Sequence, residues 1–429
     1  MKLLRREWDG RAPAAEAERL RALAPPASAV DSQAAAIVSD VRRRGDAALR
    51  EISSRLDATE VAPEEIALAV EPEAIERARA AADPDLVGAL EVTARNLGSV
   101  ARAELDALGD AAASLPQGQT VSILSRPVGS AGLYAPGGRA AYPSSVLMCC
   151  VPAQVAGVDR VALASPPGPD GAVHPTVLAA CSVAGVQEVY ALGGAQAIAA
   201  LAYGSESVAP VDVVAGPGNR FVNAAKRIAV GEVGIDGIAG PSELLVVFDA
   251  AARVRDLALD LLAQAEHGAD GLLAAFSADR DALDELALVL ERLAAERPTV
   301  ADAPLALVGA PDVGAAIELA DALAPEHLEL ALEPADERLA ADRIAGCVFF
   351  GPCGAVAFGD YSAGSNHVLP TGGAARFGGP LGVGTFRRRT SVVEIDAAAA
   401  AGLAPRVGAL ARAEGFPVHA ESAEARTDR

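Results

Sequence analysis

The sequence predicts an α/β protein built from two parallel-sheet domains. With 429 residues, the chain is too long for one hydrophobic core, so two large domains are expected. From Val121 onward, short apolar runs alternate with helical runs. A strand recurs roughly every 20 to 30 residues, which is typical of right-handed βαβ units. Because Gly240-Pro241 interrupts this alternation, we expect two Rossmann-like domains that meet there, with the site in the cleft between them.

The individual elements follow from hydrophobic periodicity and its breaks. Residues 31–56 predict two helices separated at Gly45, and residues 63–109 continue as helix. Before Gly240, strands are predicted at 121–124, 132–134, 161–164, 188–192 and 211–215, with helices at 144–156, 175–184, 195–203 and from 219. After Pro241, strands are predicted at 244–248, 272–276, 305–308, 327–332 and 347–350, with helices at 251–266, 280–297 and 313–323. A strand at 390–395 and an Ala-rich helix follow.

These elements divide the chain into four parts. Residues 1–30 are charged and rich in Pro and Ala, and we expect an N-terminal arm that packs on another part of the molecule. Residues 31–133 together with 241–385 are predicted to form the first α/β domain, and residues 134–240 the second. Residues 386–429 form a C-terminal tail that is too small for a core of its own.

The composition excludes several kinds of partner. A net charge of −21 argues against nucleic acid and anionic membranes, since both require a basic surface. No apolar run reaches the roughly 18 residues of a membrane helix, and MKLLRREWDG lacks a signal-peptide core. The five cysteines contain no CxxC pair, so a cytoplasmic, reduced protein is predicted. Cys149 and Cys150 lie in an apolar helical run, where inert core thiols are expected, and Lys226 is expected at a solvated helix position.

The stretch from Ala324 to Thr371 carries the strongest chemical signal. It contains two of the five histidines, His327 and His367, and it places Glu326 directly before His327. Adjacent carboxylate and imidazole groups are suited to general acid–base catalysis. Asp360 lies further along this stretch, in a Gly-rich run that is not expected to form regular helix.

A second cluster of polar residues suggests a metal site. In DLLAQAEHGAD, Gln264 and His267 are spaced i and i+3, so both project from one helix face. An imidazole and an amide oxygen are two possible metal ligands, and Asp360 would add a carboxylate that zinc accepts. A hydrogen-bonded helix end is the alternative interpretation of the Gln/His pair.

Glycine-rich turns are present, but they do not match a nucleotide fingerprint. GPGNRF (216–221) follows a predicted strand and opens a helix, so its backbone N–H groups could meet an anion. It lacks the third glycine of GxGxxG, and the chain contains no GxxxxGK[ST]. These motifs alone do not predict NAD.

Taken in order, eight motifs resemble the histidinol dehydrogenase family. They are GLYAPGG, GGAQAIAALAYG, GPGNRFVNAAKR, AGPSELLV, DLLAQAEH, APEHLEL, GDYSAGSNHVLPTGGAARF and EGFPVH. The resemblance extends from DVRRRGDAAL near residue 40 to His419. It implies two NAD-dependent oxidation steps from L-histidinol to L-histidine, one zinc per subunit, and a homodimer with shared sites. The small N- and C-terminal extensions would serve dimerisation, and the tail would be domain-swapped.

The resemblance also implies roles for individual residues. The zinc ligands would be Gln264, His267, Asp360 and His419, with His419 supplied by the partner subunit. Glu326 and His327 would be the acid–base pair. The residues implied to bind substrate are Ser242, Gln264, His267, His327, Asp360, His367, Glu414 and His419. Those implied to bind NAD are Tyr134, Gln196 and Asn219.

Two alternative functions remain open from the sequence. An open zinc position beside Glu326 would also suit a zinc hydrolase. In addition, the family often has a glutamate at the position of Val356, which leaves open a dehydrogenase for another alcohol.

Overall fold

In a computed structural model, the chain forms two parallel sheets and one small antiparallel sheet. The structure describes residues 2–24, 30–57, 60–137, 140–300, 302–333, 337–351 and 353–427. The strands are β1 (Lys2–Glu7), β2 (Ala111–Ser114), β3 (Thr120–Pro127), β4 (Ser130–Tyr134), β5 (Arg160–Ser165), β6 (Glu188–Ala191), β7 (Val213–Ala215), β8 (Gly234–Ile235), β9 (Glu243–Phe248), β10 (Leu272–Ser277), β11 (Pro304–Gly309), β12 (His327–Ala331), β13 (Cys347–Phe350) and β14 (Arg387–Glu394).

The helices connect these strands in the alternation that the sequence predicts. They are α1 (Pro13–Arg21), α2 (Asp31–Arg44), α3 (Asp46–Leu56), α4 (Pro72–Ala81), α5 (Pro84–Ala107), α6 (Pro143–Val155), α7 (Pro175–Val183), α8 (Gly194–Tyr203), α9 (Arg220–Ala229), α10 (Val254–Ala265), α11 (Arg280–Ala295), α12 (Val313–Leu323), α13 (Glu337–Ala341), α14 (Val356–Tyr361), α15 (Ala397–Ala413) and α16 (Pro417–Glu424). The predicted α/β fold class is confirmed. In the part of the chain that the structure describes, no helix is both long and apolar enough to cross a membrane.

The larger sheet has six parallel strands in the order β1-β11-β10-β9-β12-β13. Its central strands read ELLVVF and LLAAFS and are buried at every position. Along β9, Leu244, Val246 and Phe248 face one core, whereas Leu245 and Val247 face the other. This sheet is therefore covered by apolar layers on both faces, as parallel sheets require.

The smaller parallel sheet has the strand order β6-β5-β4-β7-β8. It too has a core on each face: Leu133 and Leu163 belong to one, and Ala162 and Ala164 to the other. The chain runs from β4 outward to β6 and then returns to the opposite side of β4 with β7. The neighbouring carboxyl ends of β4 and β7 thus form the topological switch point, where ligands of such sheets bind.

The packing of residues 31–133 differs from the prediction that they share a domain with residues 241–385. Apolar side chains of α2 and α3, such as Ile37 and Leu49, share a core with Tyr134 of the five-stranded sheet. Ile75 and Leu90 of α4 and α5 share the other core of the same sheet. Helices α2 to α5 therefore cover the smaller sheet, because their apolar faces match its two surfaces.

The N-terminal arm is an integral part of the larger sheet. β1 pairs in parallel with β11, and Trp8 and Leu20 are buried in the core on one sheet face. The arm thus packs on the six-stranded sheet of its own chain.

The tail begins in a third sheet of antiparallel strands, ordered β14-β3-β2. Phe386, just before β14, is fully buried in the core of the five-stranded sheet. The helices α15 and α16 follow and pack on each other. The start of the tail, from Phe386 through β14, is therefore anchored to its own chain.

Candidate active site

The predicted acid–base pair lies at the amino end of β12. Helix α12 ends at Leu323, and Ala324 adopts a left-handed conformation with φ 46°. This unusual backbone for a non-glycine residue turns the chain sharply into Pro325. Glu326 and His327 follow with only 6% and 3% of their surfaces exposed.

His327 is held between polar groups from three segments. Its Nδ1 lies 3.1 Å from the carbonyl oxygen of Glu243 and 3.6 Å from Oε2 of Glu326. Its Nε2 lies 3.2 Å from Oδ1 of Asp360. The structure therefore brings Glu326, His327 and Asp360 together, although Asp360 is more than thirty residues away in sequence.

Burial and neighbouring charges shift the pKa values of the side chains in this cluster. Burial alone lowers the pKa of His327, but Glu326 and Asp360 outweigh it and raise the pKa to about 10. Burial alone raises the pKa of Asp360, but the hydrogen bond from His327 holds it below its usual range. The pKa of His367 is lowered by burial. Glu326 and Asp360 therefore favour the protonated form of His327.

The segment that carries Asp360 is helical, contrary to the expectation from its glycines. It is the short helix α14, and Gly359 lies within it. A Cβ atom at Gly359 would lie 2.4 Å from the ring of Phe349 on β13. Glycine is thus needed here for close packing and does not interrupt the helix.

His367 links the two large sheets across the site. Its Nδ1 lies 2.8 Å from the carbonyl oxygen of Asp360, and its Nε2 lies 3.0 Å from Oγ of Ser145 on α6. Next to it, Asn366 donates a hydrogen bond of 2.7 Å to the carbonyl oxygen of Met148, also on α6. The loop that follows α14 is therefore fixed against the five-stranded domain, and the site lies between the domains.

Gln264 and His267 occupy the carboxyl end of α10. Gln264 is 4% exposed, and its amide nitrogen is buried without a hydrogen-bond partner among the described residues. His267 lies just beyond the helix and is exposed, and it contributes electrostatically to the lowered pKa of Asp360. A hydrogen-bonded helix end therefore does not describe the amide nitrogen of Gln264.

No three His, Cys, Asp or Glu side chains form a metal-binding group among the residues that the structure describes.

Ser242 is partly buried directly before β9, next in sequence to Glu243. Val356 packs in the core beside α10 and is 3% exposed.

The three residues that the resemblance assigns to NAD follow strand ends of the smaller sheet. Tyr134 ends β4, and its hydroxyl accepts the N–H of Gly194 at 3.1 Å. Gln196 is buried; its amide nitrogen donates to Asp57 at 3.1 Å, and its amide oxygen has no partner. Asn219 caps α9 by accepting the N–H groups of Phe221 and Val222 at 2.9 and 3.2 Å. Tyr134 and Asn219 thus lie on the loops of the switch point.

Lys226 is buried, contrary to the expected solvated position. It is 1% exposed, and its Nζ donates to the carbonyl oxygen of Gly216 at 2.5 Å and to Oδ1 of Asp236 at 2.7 Å. Oδ2 of Asp236 in turn accepts the N–H of Gly216 at 2.8 Å. The ammonium group is tolerated in the core because it is paired, and it holds the loop that precedes α9.

Glu414 and His419 belong to the helices of the C-terminal tail. Glu414 follows α15 and His419 lies in α16, and both are exposed. The ring of His419 contacts the ring of Phe416, with centroids 5.4 Å apart. His419 is not among the charged groups that act on Asp360.

Several residues at this site were missed from the sequence. Ser145 bonds His367, and Glu243 contacts both Glu326 and His327. The position of Glu243 directly after Ser242 in the motif AGPSELLV was the available signal. Arg21, which pairs with Glu243, gives no signal because it lies in the N-terminal segment, far from every motif.

The fold and the site define a class of protein: an α/β protein with a cluster of Glu326, His327 and Asp360 near the contact between its two parallel-sheet units. The comparisons with known proteins identify the family. The histidinol dehydrogenase family model matches residues 24–427, and the chain belongs to this family of oxidoreductases.

Individual relatives agree with this assignment. The chain is 42% identical to histidinol dehydrogenase of Moorella thermoacetica over 437 aligned residues, which cover 100% of this chain and 98% of that protein. It is 44% identical to the Pseudomonas syringae pv. syringae enzyme over 398 residues, covering 91% and 88%. The crystal structure of histidinol dehydrogenase from Elizabethkingia anophelis superimposes with a TM-score of 0.88 at 28% identity and covers 100% of this chain and 98% of that one.

Proposed function

We propose that this protein oxidises L-histidinol to L-histidine with NAD, in two steps through bound L-histidinal, at the end of histidine biosynthesis. The observation that carries the proposal is the cluster of Glu326, His327 and Asp360, enclosed between the two domains. Two oxidations at one carbon require a base in each step, and this cluster offers an imidazole and a carboxylate side by side.

His327 is the base for the alcohol. It accepts the hydroxyl proton of L-histidinol as hydride leaves the carbon for NAD. While His327 is paired with Asp360, its pKa of about 10 keeps it protonated. Glu326 is the largest cause of this raised pKa and Asp360 the next. If Asp360 held a cation instead, its contribution to the raised pKa would weaken and Nε2 would lose this partner.

Glu326 acts in the second step. One of its carboxylate oxygens, Oε2, accepts the N–H of Glu243 at 2.7 Å, which fixes the orientation of the group. Oε1 is then available to activate a water molecule for hydration of the aldehyde. The hydrate loses its second hydride to another NAD, and L-histidine is formed.

Zinc is the cation that we propose for the site. Gln264, His267 and Asp360 would hold it, together with His419 of the partner subunit. Two imidazoles and a carboxylate are ligands that zinc commonly takes, and the amide oxygen of Gln264, a buried side chain near the end of α10, would be the fourth. When bound, zinc would fix the amino and imidazole nitrogens of the substrate, which orients the alcohol carbon toward His327. Ser242, His367 and Glu414 would make the remaining substrate contacts.

NAD is proposed to bind at the switch point of the smaller sheet. Tyr134 ends β4 and Asn219 follows β7 there, Gln196 follows the edge strand β6, and the positive end of the α9 dipole favours a phosphate. The amide oxygen of Gln196 has no hydrogen-bond partner among the described residues and could accept a hydrogen bond from the cofactor.

A homodimer with shared sites is proposed from the exposed tail. Its helices present large apolar side chains to solvent: Leu410 is 67% exposed, Phe416 53% and Val418 70%. Large apolar side chains exposed near one another in sequence favour an interface. If α16 docks on the other subunit, His419 and Glu414 reach the site from which they are absent in the single chain.

The experiment that tests the function is a stoichiometry measurement. Purified protein with NAD and L-histidinol is expected to give two NADH, followed by absorbance, and one L-histidine, followed by mass spectrometry. L-Histidinal supplied directly is expected to give one NADH. Oxidation of unrelated amino alcohols in preference to L-histidinol, or metal-dependent ester cleavage without NADH formation, would contradict the proposal.

A further inference from the structure

Arg21, the last residue of α1, joins three segments that surround the acid–base pair. Its Nη1 donates to Oε1 of Glu243 at 2.8 Å, and its Nη2 donates to the carbonyl oxygen of Leu323 at the end of α12. The guanidinium group also packs against Gly373, where a Cβ atom would lie 3.2 Å from Nη2. Gly373 has φ +80°, a conformation that favours glycine. Arg21 therefore holds the turn into Glu326 and the loop that follows His367 at the same time.

Glu243 transmits this anchoring to both members of the pair. Its backbone N–H donates to Oε2 of Glu326 at 2.7 Å, and its Oε2 accepts the N–H of Glu326 at 3.2 Å. Its carbonyl oxygen lies 3.1 Å from Nδ1 of His327. One residue thus fixes the backbone and the carboxylate of Glu326 as well as the imidazole of His327.

The charges explain why this arrangement needs an arginine. The side chain of Glu243 is only 7% exposed, beside a second carboxylate on Glu326. Burial raises the pKa of Glu243, and Arg21 opposes this. The other hydrogen bond to Oε1 comes from the N–H of Gly372 at 3.1 Å, so Arg21 is the cation that compensates the buried carboxylate.

We propose that Arg21 and Glu243 are a positioning pair for the acid–base residues, and that the N-terminal segment thereby supports catalysis. This inference rests on the proposed function, because it takes Glu326 and His327 as the groups that move protons. Arg21 acts through Glu243, which in turn sets the geometry of Glu326 and His327.

The kinetic test uses Arg21→Met, which keeps an unbranched apolar stem and removes the guanidinium group with its charge. Because small displacements of acid–base groups cost about 10²-fold in rate, kcat with L-histidinol is expected to fall by roughly this factor. KM for NAD is expected to change less than about twofold, since NAD is proposed to bind on the other sheet. Arg19→Met is the matched control: Arg19 lies on the same helix, 65% exposed, and pairs with Glu16. A folded Arg21→Met variant with the kcat of the control would overturn the proposal.

A double variant separates positioning from general structural support. In Arg21→Met, Glu243 is left as a buried carboxylate without its cation, whereas Arg21→Met/Glu243→Gln contains no unpaired charge. The double variant is therefore expected to be more active than the product of the two single losses predicts. Losses that multiply would show that the two residues act independently, which contradicts the proposed pair.

A spectroscopic readout keeps the test valid if the proposed reaction is wrong. In protein labelled with ¹⁵N-histidine, Arg21→Met is expected to shift the Nδ1 resonance of His327, because that nitrogen faces the Glu243 carbonyl. His174, whose Nδ1 lies 2.8 Å from Oγ1 of Thr176 at the start of α7, is the internal control and is expected to keep its resonance. An unchanged His327 resonance would overturn the positioning role, whatever the substrate. Absence of histidinol oxidation by wild type would overturn the proposed function alone.

Discussion

Glu329→Gln is expected to stabilise the protein at alkaline pH. Glu329 lies on β12, two residues after His327, and is 6% exposed. Its Oε2 has no hydrogen-bond partner. Burial, followed by the nearby carboxylates of Asp260 and Asp256 on α10, raises the pKa of Glu329 to about 8. The fold therefore favours the protonated form of this side chain.

The sign and size of the effect follow from this pKa. Between pH 4.5 and about 8, the folded chain keeps a proton that the unfolded chain has released. The free energy of unfolding therefore decreases as pH rises through this window and is unaffected below it. Since one pKa unit corresponds to about 1.4 kcal/mol, the upper limit of the penalty above pH 8 is about 5 kcal/mol. Relaxation and water entry reduce such penalties, and we expect Glu329→Gln to recover roughly 2–3 kcal/mol.

The assay is urea unfolding at pH 5, 7 and 8.5, at fixed protein and zinc concentrations. Trp8, the single tryptophan, is 6% exposed in a core of the six-stranded sheet, so its fluorescence reports on the domain that contains Glu329. Glu333→Gln, an exposed change just beyond the same strand, is the control and is expected to have little effect at any pH. A gain for Glu329→Gln that is as large at pH 5 as at pH 8.5 would refute the reasoning.

Three further predictions concern the site. Glu326→Gln is expected to slow L-histidinal oxidation at least about tenfold more than L-histidinol oxidation, measured as NADH formation from each; equal losses would show that the role assigned to Glu326 is wrong. Cys149→Ala and Cys150→Ala are expected to keep most activity, because burial raises the pKa of both thiols; a folded but inactive variant would require a thiohemiacetal route. His419→Asn and Asp360→Asn are each expected to be nearly inactive, whereas refolded mixtures should regain roughly a quarter of wild-type activity, because half of the dimers are mixed and one of their two sites is intact. Mixed dimers that form by mass but remain inactive would place His419 in the site of its own chain.

Most strands and helices of the two parallel sheets could be predicted because their sequence patterns are strong. β9 and β10 are apolar at nearly every position, as strands covered on both faces must be. The break between α2 and α3 at Gly45 was visible for a local reason: this residue has φ 54°, which favours glycine. Such features depend on neighbouring residues alone.

What could not be predicted depends on partners that are distant in sequence. β1 reads KLLRRE, a polar segment that becomes a strand only because the edge of β11 is available. Lys226 looks like a surface residue until Asp236 is placed beside it. The contact between Arg21 and Glu243 joins positions 222 residues apart, and no spacing rule connects them. For the same reason, the candidate residues on loops and strand ends were predicted better than the residues that hold them in place.

The position of β1 at the edge of the six-stranded sheet affects the order in which the chain folds during synthesis. All strands of the five-stranded sheet lie between Ser130 and Ile235, so that sheet can form once little more than half of this sequence has been made. β1 can pair only after β11 has been made, about three hundred residues later. β1 is therefore among the last strands of this sequence to find its partner, although it is made before all the others, and Arg21 docks with it. Until Arg21 is in place, the buried carboxylate of Glu243, beside Glu326 and His327, lacks its cation. Nascent chains should therefore acquire activity only after β1 and α1 have docked.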